Sequence, residues 1–354
     1  MIQKVRKGEE LNKKSLKKFL FENELISNNI SDLFISQFSN GFSNLTYLLK
    51  IENKELVLRC PPRGAIKYGH DMSREFKVLC GLNKGFKKAP IAHIYSDDIK
   101  IIGAPFYIME KIEGIILSNN EAKSRNISSK EYTRIAQNWL STFVELHQIN
   151  YDKIGLNDLG KPDGYVERQV RNWSKQYLKA ATEEIPESHK IMNWLEKNQP
   201  TKYNYSLIHN DYKYDNIVFS DNSWNKIQAI LDWEMCTLGD PLMDLGTSLA
   251  YWTMESDHIM VLDGLNYPTS KPGNPGRMEL VEMYEEKSGI KINNLVFYYA
   301  FGLFKIAVIV QQIYYRYNKG LTTNQKFKDL NKMTKLMCRI GWQAIQKNRI
   351  ENLF

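Results

Sequence analysis

Short apolar segments of strand length dominate the first part of the chain. In LTYLLKI (45–51), apolar residues from Tyr47 onward occupy every second position, which is the spacing of a half-buried strand. MSREFKVLCGL (72–82) has helical spacing, and so has an amphipathic segment around residues 11–20. Further strands are predicted at 32–38, around Leu56 and Leu58, at 91–98 and at 104–114. The pattern predicts an antiparallel sheet with helices over residues 1–110.

From about residue 127 the pattern changes to helices that each gather their apolar side chains on one face. The helices predicted in this way cover 128–149, 164–181, 188–198 and 277–289, and helices continue from there to the C-terminus. A further helix is predicted directly after the GDP of 239–241. Three prolines make 268–276 a loop. We therefore expect an α+β chain of two lobes, a small antiparallel-sheet lobe over 1–110 and a large helical lobe over 111–354.

One apolar run, LVFYYAFGLFKIAVIV (295–310), approaches the length of a membrane span. It contains Lys305 and has helical periodicity, so it predicts a buried helix, and no membrane partner is expected. Residues 1–14 lack the apolar core of a signal peptide. The four Cys form no CxxC pair, which indicates neither a zinc site nor a disulfide framework. These features favour a cytoplasmic protein.

The formal net charge is +8. Such a charge is compatible with binding to nucleic acid, anionic lipid or phosphorylated small molecules. The lysines are interleaved with Asp and Glu and form no basic stripe with interleaved aromatic residues, so no nucleic-acid partner is expected. The sequence gives no indication of an oligomeric state.

The segment IHNDYKYDN (208–216) carries the most specific chemistry. Its spacing, His209-x-Asp211-x4-Asn216, is that of a protein-kinase catalytic loop, and Asp232 follows where a metal-binding Asp would fall. Phosphoryl transfer to a hydroxyl requires a carboxylate base, oxygen ligands for Mg²⁺ and a cation near the phosphoryl group. Asp211, the pair Asn216 and Asp232, and Lys213 supply these in turn. The alternative is an Asx-rich surface turn.

Together with AILDWEMCTLGDPLMDLGTSLAYW, this segment resembles the aminoglycoside phosphotransferase and choline kinase superfamily. The resemblance extends to NGFSNLTYLL, LVLRCPP, SREFKVL, FYIMEKIEG, GYVERQVRNWSKQY and IAVIVQQIYYR, which cover nearly the whole chain. It is strongest to the branch found as the kinase domain of certain acyl-CoA dehydrogenase fusion proteins. The resemblance implies a bilobal protein-kinase-like fold with nucleotide in the cleft between the lobes.

The resemblance also implies roles for individual residues. Asp211 would be the catalytic base, with Asn216 and Asp232 as the Mg²⁺ ligands. Arg59 would contact phosphate where most kinases place a Lys, and Glu75 would pair with it. The remaining nucleotide-binding positions would be the phosphate turn of Gly41, Phe42, Ser43 and Asn44, and a hinge that contacts the purine through Met109, Glu110 and Ile112. An exposed Arg, a solvated Glu and a plain hairpin are the structural alternatives.

The favoured function is a small-molecule kinase that uses ATP, or GTP, and Mg²⁺. The resemblance points to a hydroxyacyl-CoA as the acceptor, for which Lys271 and Arg277 are candidate contacts. An aminoglycoside, choline or a sugar is the alternative acceptor, and a non-catalytic nucleotide-binding scaffold is the alternative of another class. A protein kinase is disfavoured because D-F-G, A-P-E and an activation loop are missing from the sequence. Asp240 and Asp244 are expected to be structural, Asp244 by bracing the catalytic loop.

Overall fold

The computed structural model describes residues 2–27, 31–39, 44–62, 71–265, 267–322 and 324–354. Contacts divide the chain into two compact units. The first consists of Met1–Glu113, Asp152–Leu159 and Gln228–Cys236, and the second of Gly114–Tyr151, Gly160–Ile227 and Thr237–Phe354. The sequence predicted two continuous lobes divided at residue 110, whereas the first unit also takes two short segments from later in the chain. One of these segments contains Asp232.

The first unit is built on a six-stranded antiparallel sheet in the order β1-β2-β3-β4-β6-β5. Its elements are β1 (Ile2–Gln3), α1 (Lys13–Glu22), β2 (Phe34–Phe38), β3 (Leu45–Ile51), β4 (Lys54–Cys60), α2 (Met72–Leu82), β5 (Ala92–Ser96), α3 (Ile99–Ile102) and β6 (Phe106–Glu110). The predicted strands and both predicted helices are confirmed. The strand predicted over 104–114 is shorter, because pairing between β4 and β6 ends at Leu56 with Glu110.

Alternation along β4 gives the sheet two different faces. Leu58 points into an apolar core that α1 covers, with Phe19 against Phe106 at 5.3 Å between ring centroids. Arg59 points to the opposite face and pairs in register with Tyr107 of β6. That face meets α2, where Phe76 lies 6.3 Å from the Tyr107 ring. The period of two along a strand therefore places a cation on the α2 side of the sheet.

The second unit is mainly helical. Its helices are α4 (Asn119–Ser124), α5 (Ser129–His147), α6 (Tyr165–Ala180), α7 (Pro186–Lys197), α8 (Pro241–Tyr251), α9 (Ile259–Leu265), α10 (Arg277–Ser288), α11 (Leu295–Asn318) and α12 (Leu330–Lys347). Its short strands are β7 (Ile115–Ile116), which pairs with β9 (Ile217–Phe219), and β8 (Ser206–Ile208), which pairs with β11 (Thr237–Gly239). A further strand, β10 (Ile227–Ile230), begins at the end of this unit and continues into the first. The predicted helices are confirmed, whereas α4 and α9 were not identified from the sequence.

Helix α11 is apolar and long, and it lies in the core of the second unit. Within the described part of the chain it is the one helix whose length and composition would allow a membrane span, but 72% of its apolar window is buried against the rest of the protein. Core helices commonly have this composition. The predicted buried helix is confirmed.

Helices α8 and α11 approach so closely that only glycine fits at the crossing. A Cβ on Gly246 would lie 2.2 Å from the carbonyl oxygen of Tyr298, and a Cβ on Gly302 would lie 2.3 Å from the carbonyl oxygen of Gly246. Both obstacles are backbone atoms, which cannot rotate away as a side chain can. Any side chain here forces the two helices apart.

We expect Gly246→Ala to destabilise the protein by about 1–3 kcal/mol, because the added methyl overpacks the α8–α11 crossing. The measurement is urea unfolding followed by circular dichroism. Gly341→Ala is the matched control, since alanine favours the helix and the one atom close to its Cβ, at 3.1 Å, is the flexible end of Ile191. Its other neighbours lie at 3.8 Å or more. Equal unfolding midpoints for both variants would contradict the proposed steric limit.

Candidate active site

Three carboxylates surround one guanidinium in the first unit. Arg59 Nη1 lies 3.0 Å from Glu75 Oε1, and its Nη2 lies 3.1 Å from Asp232 Oδ1 and 3.4 Å from Glu234 Oε2. The Arg59 and Glu75 side chains are only 10% and 3% exposed. The ion pair predicted between them is therefore present, and Asp232 joins it from the segment 228–236.

Local structure explains how this cluster assembles. Asp71 is the N-cap of α2, and its side chain accepts from the Arg74 N–H at 3.1 Å. This cap fixes the start of the helix and places Glu75 in its first turn. Burial raises the pKa of Glu75, even though the neighbouring guanidinium opposes that change. Burial also disfavours the charged form of Arg59, but Glu75 and the other acids outweigh it and keep its pKa above the ordinary range. The pair is thus held by charge compensation between two buried side chains.

Asp232 has a left-handed backbone conformation, with φ 65° and ψ 63°. This conformation is strained for a residue other than glycine, although Asp tolerates it better than most. The next residue, Trp233, is buried, and its indole N–H donates to Ile230 O at 2.9 Å while its ring meets Phe86. The buried indole fixes the turn and so the direction of the Asp232 carboxylate, which is 36% exposed.

The other predicted nucleotide-binding residues have different surroundings. Asn44 donates through Nδ2 to Glu234 Oε2 at 3.0 Å, so it joins the same cluster. The predicted residues Gly41, Phe42 and Ser43 lie outside the described residues. The three predicted hinge residues lie at or just beyond the end of β6, where Glu110 N–H bonds Ile91 O at 2.8 Å; they are Met109, Glu110 and Ile112.

The second unit brings together the three residues predicted from the catalytic-loop motif. Lys213 Nζ lies 3.1 Å and 2.9 Å from the two carboxylate oxygens of Asp211. Asn216 Nδ2 donates to the Asp211 carbonyl and to Asp211 Oδ2, both at 2.9 Å. Burial opposes the charge on Lys213, but the Asp211 carboxylate outweighs it and raises the pKa of the ammonium. A charged lysine and an amide therefore orient the Asp211 carboxylate.

Asp244 of α8 holds this loop from within the core. Its carboxylate accepts from the backbone N–H of His209 at 2.6 Å and of Asn210 at 2.7 Å, and it contacts His147 Nε2 at 3.2 Å. Burial opposes ionisation of Asp244, but its hydrogen bond with His147 and nearby positive charge outweigh it and lower its pKa. The bracing role predicted for Asp244 is confirmed. Asp240 caps α8 by accepting from Leu242 N–H at 3.0 Å, and burial raises its pKa to about 6.

Two tyrosines beside the catalytic loop were not predicted from the sequence. Lys213 Nζ lies 4.7 Å from the ring centroid of Tyr251. Burial raises the pKa of Tyr267 to about 12, and the charges of Lys213 and Asp211 also act on this tyrosine. Tyr251 lies in the quoted segment 229–252, but no role was assigned to it, and both tyrosines reach the loop through contacts far apart in sequence.

Of the two residues expected to contact the acceptor, Lys271 is exposed and Arg277 is buried. Lys271 is exposed, on the segment that links Tyr267 to Asn274, and Asn274 accepts from the Tyr214 hydroxyl at 2.7 Å. Arg277 is buried, with Nη1 2.9 Å from Asp257 Oδ1 and Nε donating to Trp252 O at 2.9 Å. The expectation for Arg277 is wrong because its guanidinium is committed to these internal partners.

The proposed Mg²⁺ ligands have the donor atoms that the ion prefers. The amide nitrogen of Asn216 is used by Asp211, so its oxygen is the atom left for a cation. Asp232 offers a partly exposed carboxylate. Among the described residues, no group of three or more His, Cys, Asp or Glu could hold a metal alone. Mg²⁺ bound with a nucleotide needs few protein ligands, since phosphates and water supply the others.

The chain belongs to the phosphotransferase enzyme family, whose sequence profile matches residues 35–280. Acyl-CoA dehydrogenase family member 10 of Mus musculus is 31% identical over 345 residues, and member 11 of Homo sapiens is 34% identical over 297 residues. These matches cover 97% and 83% of this chain but 32% and 37% of the relatives. The chain therefore spans about a third of the length of the curated relatives it matches.

Solved structures support the same fold. A Ralstonia eutropha JMP134 protein, provisionally named an aminoglycoside phosphotransferase, is 29% identical with a TM-score of 0.79, and the match covers 96% of this chain and 99% of that one. Plasmodium vivax ethanolamine kinase is 13% identical with a TM-score of 0.60, over 94% and 88% of the two chains. Spectinomycin phosphotransferase APH(9)-Ia, solved with ADP and spectinomycin, is 14% identical with a TM-score of 0.56, over 94% and 98%. The predicted kinase-like fold is confirmed.

Replacing Arg59 by Met should destabilise the first unit by about 3–5 kcal/mol at neutral pH, because buried carboxylates lose their cation. The loss should be smaller near pH 5 than near pH 8. Burial already raises the pKa of Glu75 beside Arg59, and removing the guanidinium that opposes this change raises the pKa further. In the folded variant this carboxyl therefore stays protonated to higher pH than in the wild type or in the unfolded chain. Its contribution to stability is therefore present at low pH and lost as pH rises through the raised value.

Urea unfolding at the two pH values measures this effect. Lys77→Met is the matched control, because its ammonium pairs with Asp158 between side chains that are 46% and 66% exposed. Such an exposed pair contributes little to stability, because water and salt screen it. A loss for Arg59→Met that is no larger than the control, or that does not depend on pH, would contradict the charge-compensation account.

Proposed function

We propose that the chain transfers the γ-phosphoryl group of ATP, with GTP as the alternative donor, to a hydroxyl of a small molecule. The observation that carries this proposal is the Asp211 carboxylate held by Lys213 and Asn216 on a loop that Asp244 braces. Membership of the phosphotransferase family supports it. Phosphoryl transfer depends mainly on positioning and charge stabilisation, and a rigid loop of this kind suits both.

In this proposal Asp211 orients the acceptor hydroxyl and takes its proton as the oxygen attacks the γ-phosphorus. The bond from this phosphorus to the β–γ bridging oxygen breaks, and ADP leaves. Lys213 keeps a positive charge beside that carboxylate and offsets negative charge that develops on the phosphoryl oxygens. Asn216 fixes the second carboxylate oxygen of Asp211 through its amide nitrogen. The base is thereby oriented before the acceptor arrives, which reduces reorganisation during the reaction.

Nucleotide and metal would use the residues predicted for them. Asn216 and Asp232 would hold Mg²⁺, which neutralises phosphate oxygens when bound. Arg59 would contact phosphate, with Glu75 holding its guanidinium in place. Gly41, Phe42, Ser43 and Asn44 would cover the phosphates, and the backbone of Met109, Glu110 and Ile112 would contact the purine.

For the acceptor we favour a hydroxyacyl-CoA. The names of the curated relatives contain acyl-CoA, although those proteins are about three times as long as the matched region. Lys271 supplies an exposed cation on the segment next to Tyr267, which suits a phosphorylated acceptor better than a polycationic aminoglycoside. We place the reaction in the cytoplasm, where the four cysteines of the chain would stay reduced.

Asp211→Asn should lower kcat at least about a hundredfold while ATP still binds, because the loop keeps its shape but loses its base. The assay measures Mg²⁺-dependent ATP consumption with hydroxyacyl-CoAs, aminoglycosides, choline and sugars. Asp221→Asn is the matched control, an exposed Asp in the following turn whose carboxylate accepts from Ser223 N–H. ATP binding without turnover on any acceptor would favour a non-catalytic scaffold, and failure to bind ATP or GTP would overturn the kinase proposal.

Lys271→Ala tests the acceptor class. With a hydroxyacyl-CoA, KM of the acceptor should rise about two- to fivefold, the size expected for one exposed charge contact, while KM of ATP stays constant. A hydroxyacyl-pantetheine, which lacks the CoA phosphates, should show no such change. Lys291→Ala, at a lysine that is 85% exposed, is the control. An unchanged KM for the CoA ester would remove Lys271 from the acceptor site.

A further inference from the structure

A buried ammonium group lies in the middle of the long apolar helix α11. Lys305 of α11 is 1% exposed, and burial lowers the pKa of its side chain to about 8. Lysine is rarely fully buried without partners, since an ammonium loses its hydration there. Core packing alone does not account for a charged residue at this position.

The ammonium of Lys305 forms hydrogen bonds with one residue of the catalytic loop. Its Nζ donates to the backbone carbonyl of Asn210 at 2.7 Å and to Asn210 Oδ1 at 3.1 Å. The face of Trp173 lies 5.8 Å away. The charged groups that influence Lys305 are Asp244, Asp211 and Lys213, so the ammonium lies within the electrostatic surroundings of the loop.

Asn210 is the residue immediately before Asp211, and its backbone is unusual. Its φ is 68°, in the left-handed region that few residues adopt, although Asn tolerates it better than most. Its N–H is held by Asp244 at 2.7 Å, and its carbonyl is held by Lys305. That carbonyl belongs to the peptide bond that joins Asn210 to Asp211. Lys305 therefore fixes the orientation of the Asn210–Asp211 peptide plane, which leads into the Asp211 Cα.

We propose that Lys305 is a positioning residue for phosphoryl transfer, which clamps the Asn210–Asp211 peptide from the core so that the Asp211 carboxylate faces the acceptor hydroxyl. This inference rests on the proposed function. It assigns opposite charges to the two ends of one clamp: the carboxylate of Asp244 takes the N–H of Asn210, and the ammonium of Lys305 takes its carbonyl. A lysine with only a packing role would be replaceable by an apolar side chain of similar length.

Lys305→Met removes the ammonium and keeps most of the volume of the side chain. Gln311→Leu is the matched control, because Gln311 is a buried polar residue of the same helix whose Nε2 donates to Ala180 O at 2.8 Å and to Thr182 Oγ1 at 3.0 Å. Both variants lose a buried polar group of α11, but only Lys305→Met loses a contact to the catalytic loop. Thermal unfolding of both variants reports how much each change costs the fold.

The first readout needs no substrate. Amide hydrogen exchange of the full chain should accelerate at least about tenfold over residues 206–216 in Lys305→Met and stay at the wild-type rate there in Gln311→Leu. The second readout is the split between kcat and KM. With the acceptor that the wild type uses, kcat of Lys305→Met should fall about ten- to a hundredfold with KM for ATP unchanged, as expected for a displaced base.

Unchanged exchange over 206–216 together with unchanged kcat would overturn the positioning role, as would equal losses of kcat in both variants. A wild type that turns over no acceptor would defeat the proposed function alone, since the exchange experiment would still test the clamp. If Lys305→Met does not fold, Lys305→Gln is measured with the same two readouts, because it keeps a donor of shorter reach.

Discussion

The buried carboxylate of Asp244 is the constraint on which the catalytic loop depends. It accepts two successive backbone N–H groups, those of His209 and Asn210, at the point where the chain adopts a left-handed turn. Without an acceptor inside the core, these donors would be buried and unpaired, which costs more than an ordinary hydrogen bond contributes. Asp244 stabilises the left-handed turn at Asn210 by accepting its N–H and that of His209. The loop can therefore hold the next residue, Asp211, in one orientation.

The two units solve the same electrostatic problem in opposite ways. In the first, one buried guanidinium compensates three carboxylates, so the cluster keeps an excess of negative charge and partly exposes Asp232. In the second, the Asp211 carboxylate is compensated by Lys213 beside it. An acid-rich cluster suits a cation, whereas a balanced pair suits a group that has to exchange a proton. This division of charge agrees with the roles proposed for the two groups of residues.

Local patterns predicted the elements, and tertiary contacts decided the rest. Period-two alternation predicted β3, and helical periodicity predicted α5, because each pattern reflects one buried face. The loop motif predicted that Asp211, Lys213 and Asn216 would lie together, since they are neighbours in sequence. Tyr251 and the Lys305 contact could not be predicted, because both depend on how helices pack across long separations. Arg277 was misjudged for the same reason: its partner Asp257 is twenty positions away in sequence and carries no recognisable signal.

The glycine crossing of α8 and α11 has a consequence for the clamp on Asn210. Gly246 lies two residues after Asp244, and Gly302 lies three residues before Lys305. The closest approach of the two helices thus sets the spacing between the Asp244 carboxylate and the Lys305 ammonium, which both hold Asn210. Gly246 and Gly302 carry no functional group, but they determine the positions of the groups that hold the catalytic loop. A side chain at either glycine is therefore expected to move the two groups that hold Asn210, and with them Asp211.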